Sequence, residues 1–364
     1  MAERVDTAGG PRGKRATLAT VAASAGVSVA TVSKVLNGRT DVAPTTRSLV
    51  KQLLEQHDYV ARRTERAAGS PGDAPRNAPA TVELLFHKDF NAYGIEVVQG
   101  LLDAGGAAGV AVVVSRRPDG APDPDGAAQW VAALAAAGRR AVISVVDELP
   151  EADIAALQRC GLPLVVIDPL NQPTARITSV GSTNFSGGLA ATQHLLALSH
   201  RRIAYVGGPM TAACNQARLH GYRAAMEEAG AEIADGYVRT GEFLYDDGVR
   251  EGLALLDLAE PPTAVFAGSD ETALGVIEAA RSRGLRVPED LSVVGFDDTQ
   301  LARLSSPPLT TIRQPLREMG AVALRTALRL AGGEELDSHH VELATHLVER
   351  GSTAPLQPRA GASR

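Results

Sequence analysis

The sequence predicts two fold classes in one chain. An all-α helix-turn-helix head is joined to an α/β body of two lobes, each a doubly wound parallel sheet. Three observations carry this. Apolar residues recur at helical spacing from Thr17 to about Tyr59. After residue 80, continuous apolar runs of strand length alternate with helical stretches. Between the two lies GSPGDAPRNAPA (69–80), a Gly/Pro/Ala stretch without periodicity. Seven strand-like runs spread over the rest of the chain suit two open sheets better than one. A length of 364 residues also exceeds one ordinary domain.

Taken in order, residues 1–15 are rich in Gly, Pro and charge and are expected to be disordered. The head occupies 16–60. Leu18, Val21, Ala22 and Ala25 fall on one helical face, Val32, Val35 and Leu36 on a second, and Leu49, Val50, Leu53 and Leu54 on a third. Gly26 breaks the first helix and Ser28 is a good N-cap for the next; Asn37-Gly38 ends that helix and Pro44 opens the third. Residues 61–80 form a hinge and linker. The body spans 81–353, with a first lobe of about 81–181 plus 314–340 and a second of about 182–313 plus 341–353. Its strands are read at 81–86, 110–115, 141–146, 162–168, 203–208, 264–269 and 291–298, apolar throughout as for strands covered on both faces. Residues 354–364 read as a disordered tail.

Bulk charge points away from an anionic partner: 36 Lys and Arg against 42 Asp and Glu leave −6. Its distribution reverses that inference. Residues 1–66 carry +5 and the remainder −11, a basic head on an acidic body. Cys160 and Cys214 make neither a disulfide framework nor a zinc site. No apolar run nears the roughly 18–20 residues that cross a bilayer, and the first 20 lack the apolar stretch of a secretory signal, so a cytoplasmic protein is expected. Walker A, GxSxG and HExxH patterns are all missing. No catalytic residue, metal or cofactor is expected. Gly187-Gly188 and Gly207-Gly208 read as turn punctuation, His339-His340 as solvated surface, and Trp130 as core.

The stretch TLATVAASAGVSVATVSKVLNGRTDVAPTTRSLVKQLLEQHDYVARR (17–63) resembles the DNA-binding head of the lactose-repressor/galactose-repressor (LacI/GalR) family of bacterial regulators. Residues 179–208, 217–230, 261–298 (ending VPEDLSVVGFDD) and 307–315 (PPLTTIRQP) are similar, in order and spacing, to that family's effector-binding body. The resemblance spans roughly 17–353. It implies a periplasmic-binding-protein-like body, a repressor of transcription, a homodimer on near-palindromic double-stranded DNA, and a small-molecule effector in the cleft between the lobes. Sugars or oligosaccharides are the commonest effectors of the family; a purine-like or other small metabolite is the other class. Residues 351–364 carry no leucine heptads, so no tetramerising tail is expected.

A helix capped by Ser28 presents its first turn to the major groove. Val29 and Ala30 are apolar there and suit thymine methyls, while Lys34, one turn on, donates to guanine O6/N7. Family members often have arginine at that position, so Lys34 reads without the planar fork. Thr31, Ser33 and Asn37 suit phosphate oxygens. Thr17 and Tyr59, at the two ends of the head, complete the set. The family's hinge proline and its minor-groove leucine are missing after Tyr59; Ala68 takes the leucine's place, which predicts weaker kinking. Arg62, Arg63 and Arg66 compensate through phosphate or minor-groove contact.

In the body, candidate contacts are the polar residues just after strands: Asp297 after VVGF, Asp168 after VVI, and Ser269-Asp270 after VFAG. The resemblance points to Arg218 and Asp297 as effector contacts, with Asp168, Asn184, Gln216, Phe243 and Ser269 as companions. Asp89 and Tyr93 follow the first strand of the body, where a loop faces the cleft. Phe185 and Phe243 offer the flat apolar face on which a sugar ring or base packs. Asp270 reads as a helix cap, and Cys214 approaches the cleft without marks of reactivity. Two other functions share this architecture. A sugar-binding transport protein is opposed by the helix-turn-helix and the missing signal. An enzyme is opposed by the lack of a nucleophile–base pair.

Overall fold

Gly26 decides where the first helix of the head ends. In the computed structural model, which describes residues 18–36, 43–56, 80–86, 91–116, 124–145, 149–169, 171 and 177–357, Gly26 sits at φ +64°, and the Val27 N–H donates to the Ala22 carbonyl at 3.1 Å. That left-handed residue closes α1 (Leu18–Ala25) and turns the chain into α2 (Val29–Leu36). Ser28 Oγ accepts from the Thr31 N–H at 3.1 Å, the capping bond its position predicts. α3 (Pro44–Gln56) completes the trio. Val21, Ala22, Val32, Val35 and Val50, drawn from all three helices, make one small core. Leu49 departs from expectation. It is 45% exposed, because Val50, one step round the helix, takes the inward position.

Two compact units divide near Ser70, and the second is the body. Its first lobe begins β1 (Ala80–Phe86), α4 (Ala92–Ala108), β2 (Val110–Ser115), α5 (Pro124–Ala136), β3 (Arg139–Val145), α6 (Glu151–Arg159), β4 (Leu164–Ile167) and β5 (Thr178–Ser182). The second lobe follows: α7 (Asn184–Ala197), β6 (Ile203–Gly207), α8 (Ala213–Glu228), β7 (Val238–Thr240), α9 (Tyr245–Leu256), β8 (Ala264–Ala267), α10 (Asp270–Ser282), β9 (Ser292–Asp297), α11 (Gln300–Leu304) and β10 (Thr310–Arg313). The chain then returns to the first lobe with α12 (Leu316–Ala331) and β11 (His340–Leu343), and ends in the second with β12 (His346–Val348).

The sheets are ordered β11-β5-β4-β3-β1-β2 and β12-β10-β9-β8-β6-β7, the same winding used twice. Every pairing is parallel except β12 against β10. Alternation along the strands serves both faces. Leu84 and Ile143 enter the core under α4 and α12, whereas Leu85 and Val142 enter that under α5 and α6. Trp130 packs partly buried against the latter core. Val206 and Val265 face α9 and α10, and Tyr205 and Phe266 face α7 and α8.

Five strands escaped the sequence reading: β5, β7, β10, β11 and β12. They read TSVGS, VRT, TTIR, HVEL and HLV, too short and too polar to show as apolar runs. One consequence is a shifted lobe boundary. β11 reaches Leu343 in the first sheet, so the last crossing lies at 344–345 rather than near 340. Residues 354–357, expected within a disordered tail, are held by the body. Ala354 N donates to Ser292 Oγ at 3.1 Å and Leu356 N to the Leu198 carbonyl at 2.9 Å, which pins 354–357 to the second lobe.

Glycine pairs govern how closely the helices approach. A Cβ on Gly188 of α7 would lie 2.3 Å from the Arg218 carbonyl oxygen, and one on Gly221 of α8 would lie 2.3 Å from that of Phe185. Gly248 with Gly275 does the same for α9 and α10, and Gly100 with Gly320 for α4 and α12. Gly187-Gly188 is therefore a packing surface inside a helix and not turn punctuation.

Candidate functional site

Ligands of doubly wound sheets bind beyond the carboxyl ends of the strands, and the polar side chains of the body gather there. Asp168 follows β4, Phe243 follows β7, Ser269 follows β8, and Asp297 ends β9; Tyr93 comes from the first turn of α4 and Arg218 from α8. All six line one cavity of about 70 Å³ between the lobes. Asp168, Phe243 and Asp297 also have φ of +47°, +65° and +113°. Left-handed backbone outside glycine costs on the order of 1–3 kcal/mol and persists where the surroundings enforce it. Three such residues line this one cavity.

Arg218 organises the cavity. Its Nε donates to Asn184 Oδ1 at 2.8 Å and its Nη1 to the Gly268 carbonyl at 2.6 Å, with Asp297 Oδ1 3.9 Å away. The guanidinium lies 3.8 Å from the centroid of the Phe296 ring and 5.4 Å from that of Phe243. Below it the rings of Tyr222, Tyr205, Phe266 and Phe296 follow one another at 5.2–6.4 Å through the core. Gly207 and Gly208 make room for this aromatic layer: a Cβ on Gly208 would meet the Phe243 ring at 2.2 Å, and one on Gly207 the Tyr205 ring at 2.4 Å. Those glycines are packing positions as well.

Two carboxylates face the cation. Tyr93 Oη donates to Asp168 Oδ2 at 2.6 Å, and Gln314 Nε2 donates to Asp297 Oδ1 at 2.6 Å. Burial raises the pKa of Asp168 against the lowering effects of the Tyr93 bond and of Arg218. Asp297 is held well above the usual range by burial, opposed by Arg218 and reinforced by Asp270. Burial pushes the Cys214 thiol up to about 11, so this cavity-lining sulfur is a poor nucleophile. Asp270 is not the expected cap. Ser269 caps α10, accepting from the Thr272 N–H at 3.1 Å, while Asp270 accepts from Thr299 N, Thr299 Oγ1 and Thr311 Oγ1 at 2.7, 3.0 and 2.6 Å. Burial still raises Asp270, to about 7.

These buried acids set a pH dependence. A carboxyl with a raised folded pKa favours the folded state below its unfolded value, and that stability is lost as pH rises through the folded value. The thermal midpoint of the ligand-free protein is expected to fall between about pH 4 and pH 7, the unfolded and folded values of Asp270, as a few kcal/mol of stability is lost. Asp270→Asn flattens that profile. A midpoint that rises over the same interval contradicts the assignment.

The lobes are joined at three crossings that lie side by side. Thr183 N donates to the Leu343 carbonyl at 3.0 Å, Thr345 N to Thr183 Oγ1 at 3.0 Å, and Ser182 Oγ to Gln314 Oε1 at 2.5 Å. Gln314 thus connects a crossing directly to Asp297. The lobes also meet across the cleft, where Ala92 N donates to Glu271 Oε1 at 3.1 Å. Sequence reasoning missed Gln314 because β10 went unread; with TTIR recognised as a strand, the rule that found Asp297 would have found it. Asn91, Glu271 and Thr299 line the cavity too and carried no signal. Asp298 pairs with Arg313 and Arg350 at 2.5 Å each, away from that cavity.

The remaining expected residues separate clearly. Asn184 and the 46%-exposed Phe185 line a neighbouring cavity. Gln216 lines neither: it is exposed and its Nε2 donates to the Met210 carbonyl at 2.8 Å. Two residues from Arg218 along a helix is more than half a turn, which aims the side chain away. Asp89 lies outside the described residues. His340 is exposed as expected but pairs with Ser179 Oγ at 3.0 Å, as His339 does with Thr178 Oγ1 at 3.1 Å. In the head, Lys34 is exposed, and the Thr31 hydroxyl lies 2.9 Å from Ser28 Oγ within the cap. Thr17, Asn37, Tyr59, Arg62, Arg63, Arg66 and Ala68, and the side chains of Val29, Ala30 and Ser33, lie outside what is described.

Residues 17–61 match the bacterial regulatory proteins of the lacI family, and residues 192–353 match the periplasmic binding protein-like domain. The HTH-type transcriptional regulator CelR of Thermobifida fusca is 34% identical over 94% of this chain and 99% of its own; catabolite control protein A of Priestia megaterium is 31% identical over 93% and 99%. The chain belongs to the lacI family. As a lacI-family protein it is a DNA-binding transcriptional regulator and not an enzyme. The lac repressor dimer bound to operator superposes with a TM-score of 0.74 at 27% identity, covering 94% of this chain and 100% of that one. A CelR–cellobiose complex gives 0.67 at 33% identity, covering 93% and 100%. Among the described residues of this family member no helix is long and apolar enough to cross a membrane, and no cluster of side chains could hold a metal ion.

Proposed function

We propose that the protein is a homodimeric repressor whose hold on a near-palindromic operator is set by a sugar bound between the lobes of the body. The observation that carries the effector class is the cavity itself. A guanidinium fork, four acidic side chains (Asp168, Asp270, Glu271 and Asp297) and the rings of Tyr93 and Phe243 line one space, and each sugar hydroxyl both donates and accepts. Cellobiose bound to CelR, and ribose bound to another regulator of the family at 26% identity, support the same class. In this reading Tyr93, Asp168, Arg218, Phe243, Ser269 and Asp297 contact the effector. Ser28, Val29, Ala30, Thr31, Ser33, Lys34 and Asn37 carry the DNA-reading face, with Thr17, Tyr59, Arg62, Arg63 and Arg66 flanking it. One head reads half a site, so two are needed, as in the lac repressor dimer on its operator.

Fluorescence anisotropy of labelled promoter fragments, with and without single sugars and nucleosides, tests this. Binding is expected to weaken steeply with salt. One sugar is expected to change operator affinity about tenfold, with DNA changing sugar affinity by the same factor. If only nucleosides move the curve, the purine-like class replaces the sugar.

A further inference from the structure

The cavity around Arg218 has a larger neighbour of about 220 Å³, and the two share Asp168 and Cys214 as a common wall. The first turns of α7 and α8 supply one side of this outer cavity, through Asn184, Phe185 and Ala213 among others. Both helices start without a side-chain cap. Thr183 spends its hydroxyl on Thr345, 2.9 Å away, and Ala212 has none to offer. Helix starts leave backbone N–H groups that side chains, water or a ligand must satisfy. His340 and Glu342 of the edge strand β11 form the other side, with Asp168 at the junction. Phe185, 46% exposed, adds a flat apolar ring.

Donors on one wall, carboxylate acceptors on the other and an aromatic face between them fit a second neutral sugar ring. An anionic substituent such as a phosphate would meet the carboxylates of Asp168 and Glu342 and is disfavoured. Resting on the sugar reading above, we infer that the effector is a disaccharide, one ring in the Arg218–Asp297–Phe243 cavity and the second on Phe185 between the helix starts and Glu342. Asp168 then stands beside the linkage.

Calorimetric titration of the full-length protein with glucose, galactose and mannose against cellobiose, maltose and lactose tests the inference. One disaccharide is expected to bind about tenfold or more tightly than either of its own monosaccharides. Phe185→Ala and, separately, Glu342→Gln are expected to collapse that ratio toward one, whereas Arg218→Lys lowers both affinities together. Operator binding in the absence of sugar reports that each variant is folded. A disaccharide no tighter than its parts, or a ratio that survives both outer-cavity variants, overturns the inference while leaving the sugar reading in place. Binding of a nucleoside and of none of the six sugars overturns both.

Discussion

Arg218→Lys is expected to remove the effector response while the protein still binds operator. The arginine holds its place through bonds to Asn184 and the Gly268 carbonyl and through stacking on Phe296. Lysine keeps a charge but loses the planar fork, the second donor and the ring contact. It is also readily deprotonated when buried, and this site is only 4% exposed. Truncating a buried, hydrogen-bonded charge at an interface costs about 2–5 kcal/mol, roughly 30-fold to more than 1,000-fold in affinity. Neither carboxylate is stranded, since burial already raises the pKa of both Asp168 and Asp297 and lets them take protons. Titration of effector into variant and parent, with operator affinity measured alongside, checks this. An effector affinity within threefold of the parent would mean that Arg218 supports the fold only.

Gly188→Ala is expected to lower the thermal midpoint by roughly 5–10 °C. Alanine ordinarily gains about 0.5–1 kcal/mol over glycine inside a helix. Here the added methyl would stand 2.3 Å from the Arg218 carbonyl, a backbone atom that cannot swing aside. α7 and α8 must then separate, and overpacking of that kind costs about 1–3 kcal/mol or more. The clash outweighs the propensity. Gly106 of α4 supplies the control: nothing lies within 4 Å of its added Cβ, so Gly106→Ala is expected to raise the midpoint. Differential scanning calorimetry of the two variants should give opposite signs for one chemical change. If both rise, the helix spacing is softer than the structure shows.

Much of the fold was legible because its strands are apolar on both faces. Runs such as VAVVVS and AVFA announce themselves without any partner in view. TTIR and HVEL do not: HVEL is a half-exposed edge strand, and TTIR, though buried, carries threonines whose hydroxyls are satisfied by Asp270, Thr353 and the Arg350 N–H. The candidate site shows the same division. Asp168, Ser269 and Asp297 were found by a local rule, polar residues after apolar strands. Gln216 failed because helical phase, not sequence proximity to Arg218, decides which way a side chain looks. Gln314 and Glu271 owe their places to contacts between segments far apart in sequence, about which local pattern is silent. The glycine pairs were visible as letters, but their meaning required the partner helix.

The return of the chain to its first lobe constrains how the protein can be made. α12 places Leu316, Met319, Ala323, Leu324 and Ala327 in the same core as Leu84 and Ile143, so that core stays open until α12 has left the ribosome. At roughly 5–20 residues per second this leaves one face of the nascent first sheet bare for on the order of ten seconds. The second lobe is in no better position, because Ser352, fully buried, bonds to Thr310 and Val293 from beyond the last crossing. Neither lobe is a contiguous piece of chain, and cutting the gene at a lobe boundary would not yield an autonomous half. Vectorial synthesis therefore delivers two incomplete sheets, and each closes only when its last segment has emerged.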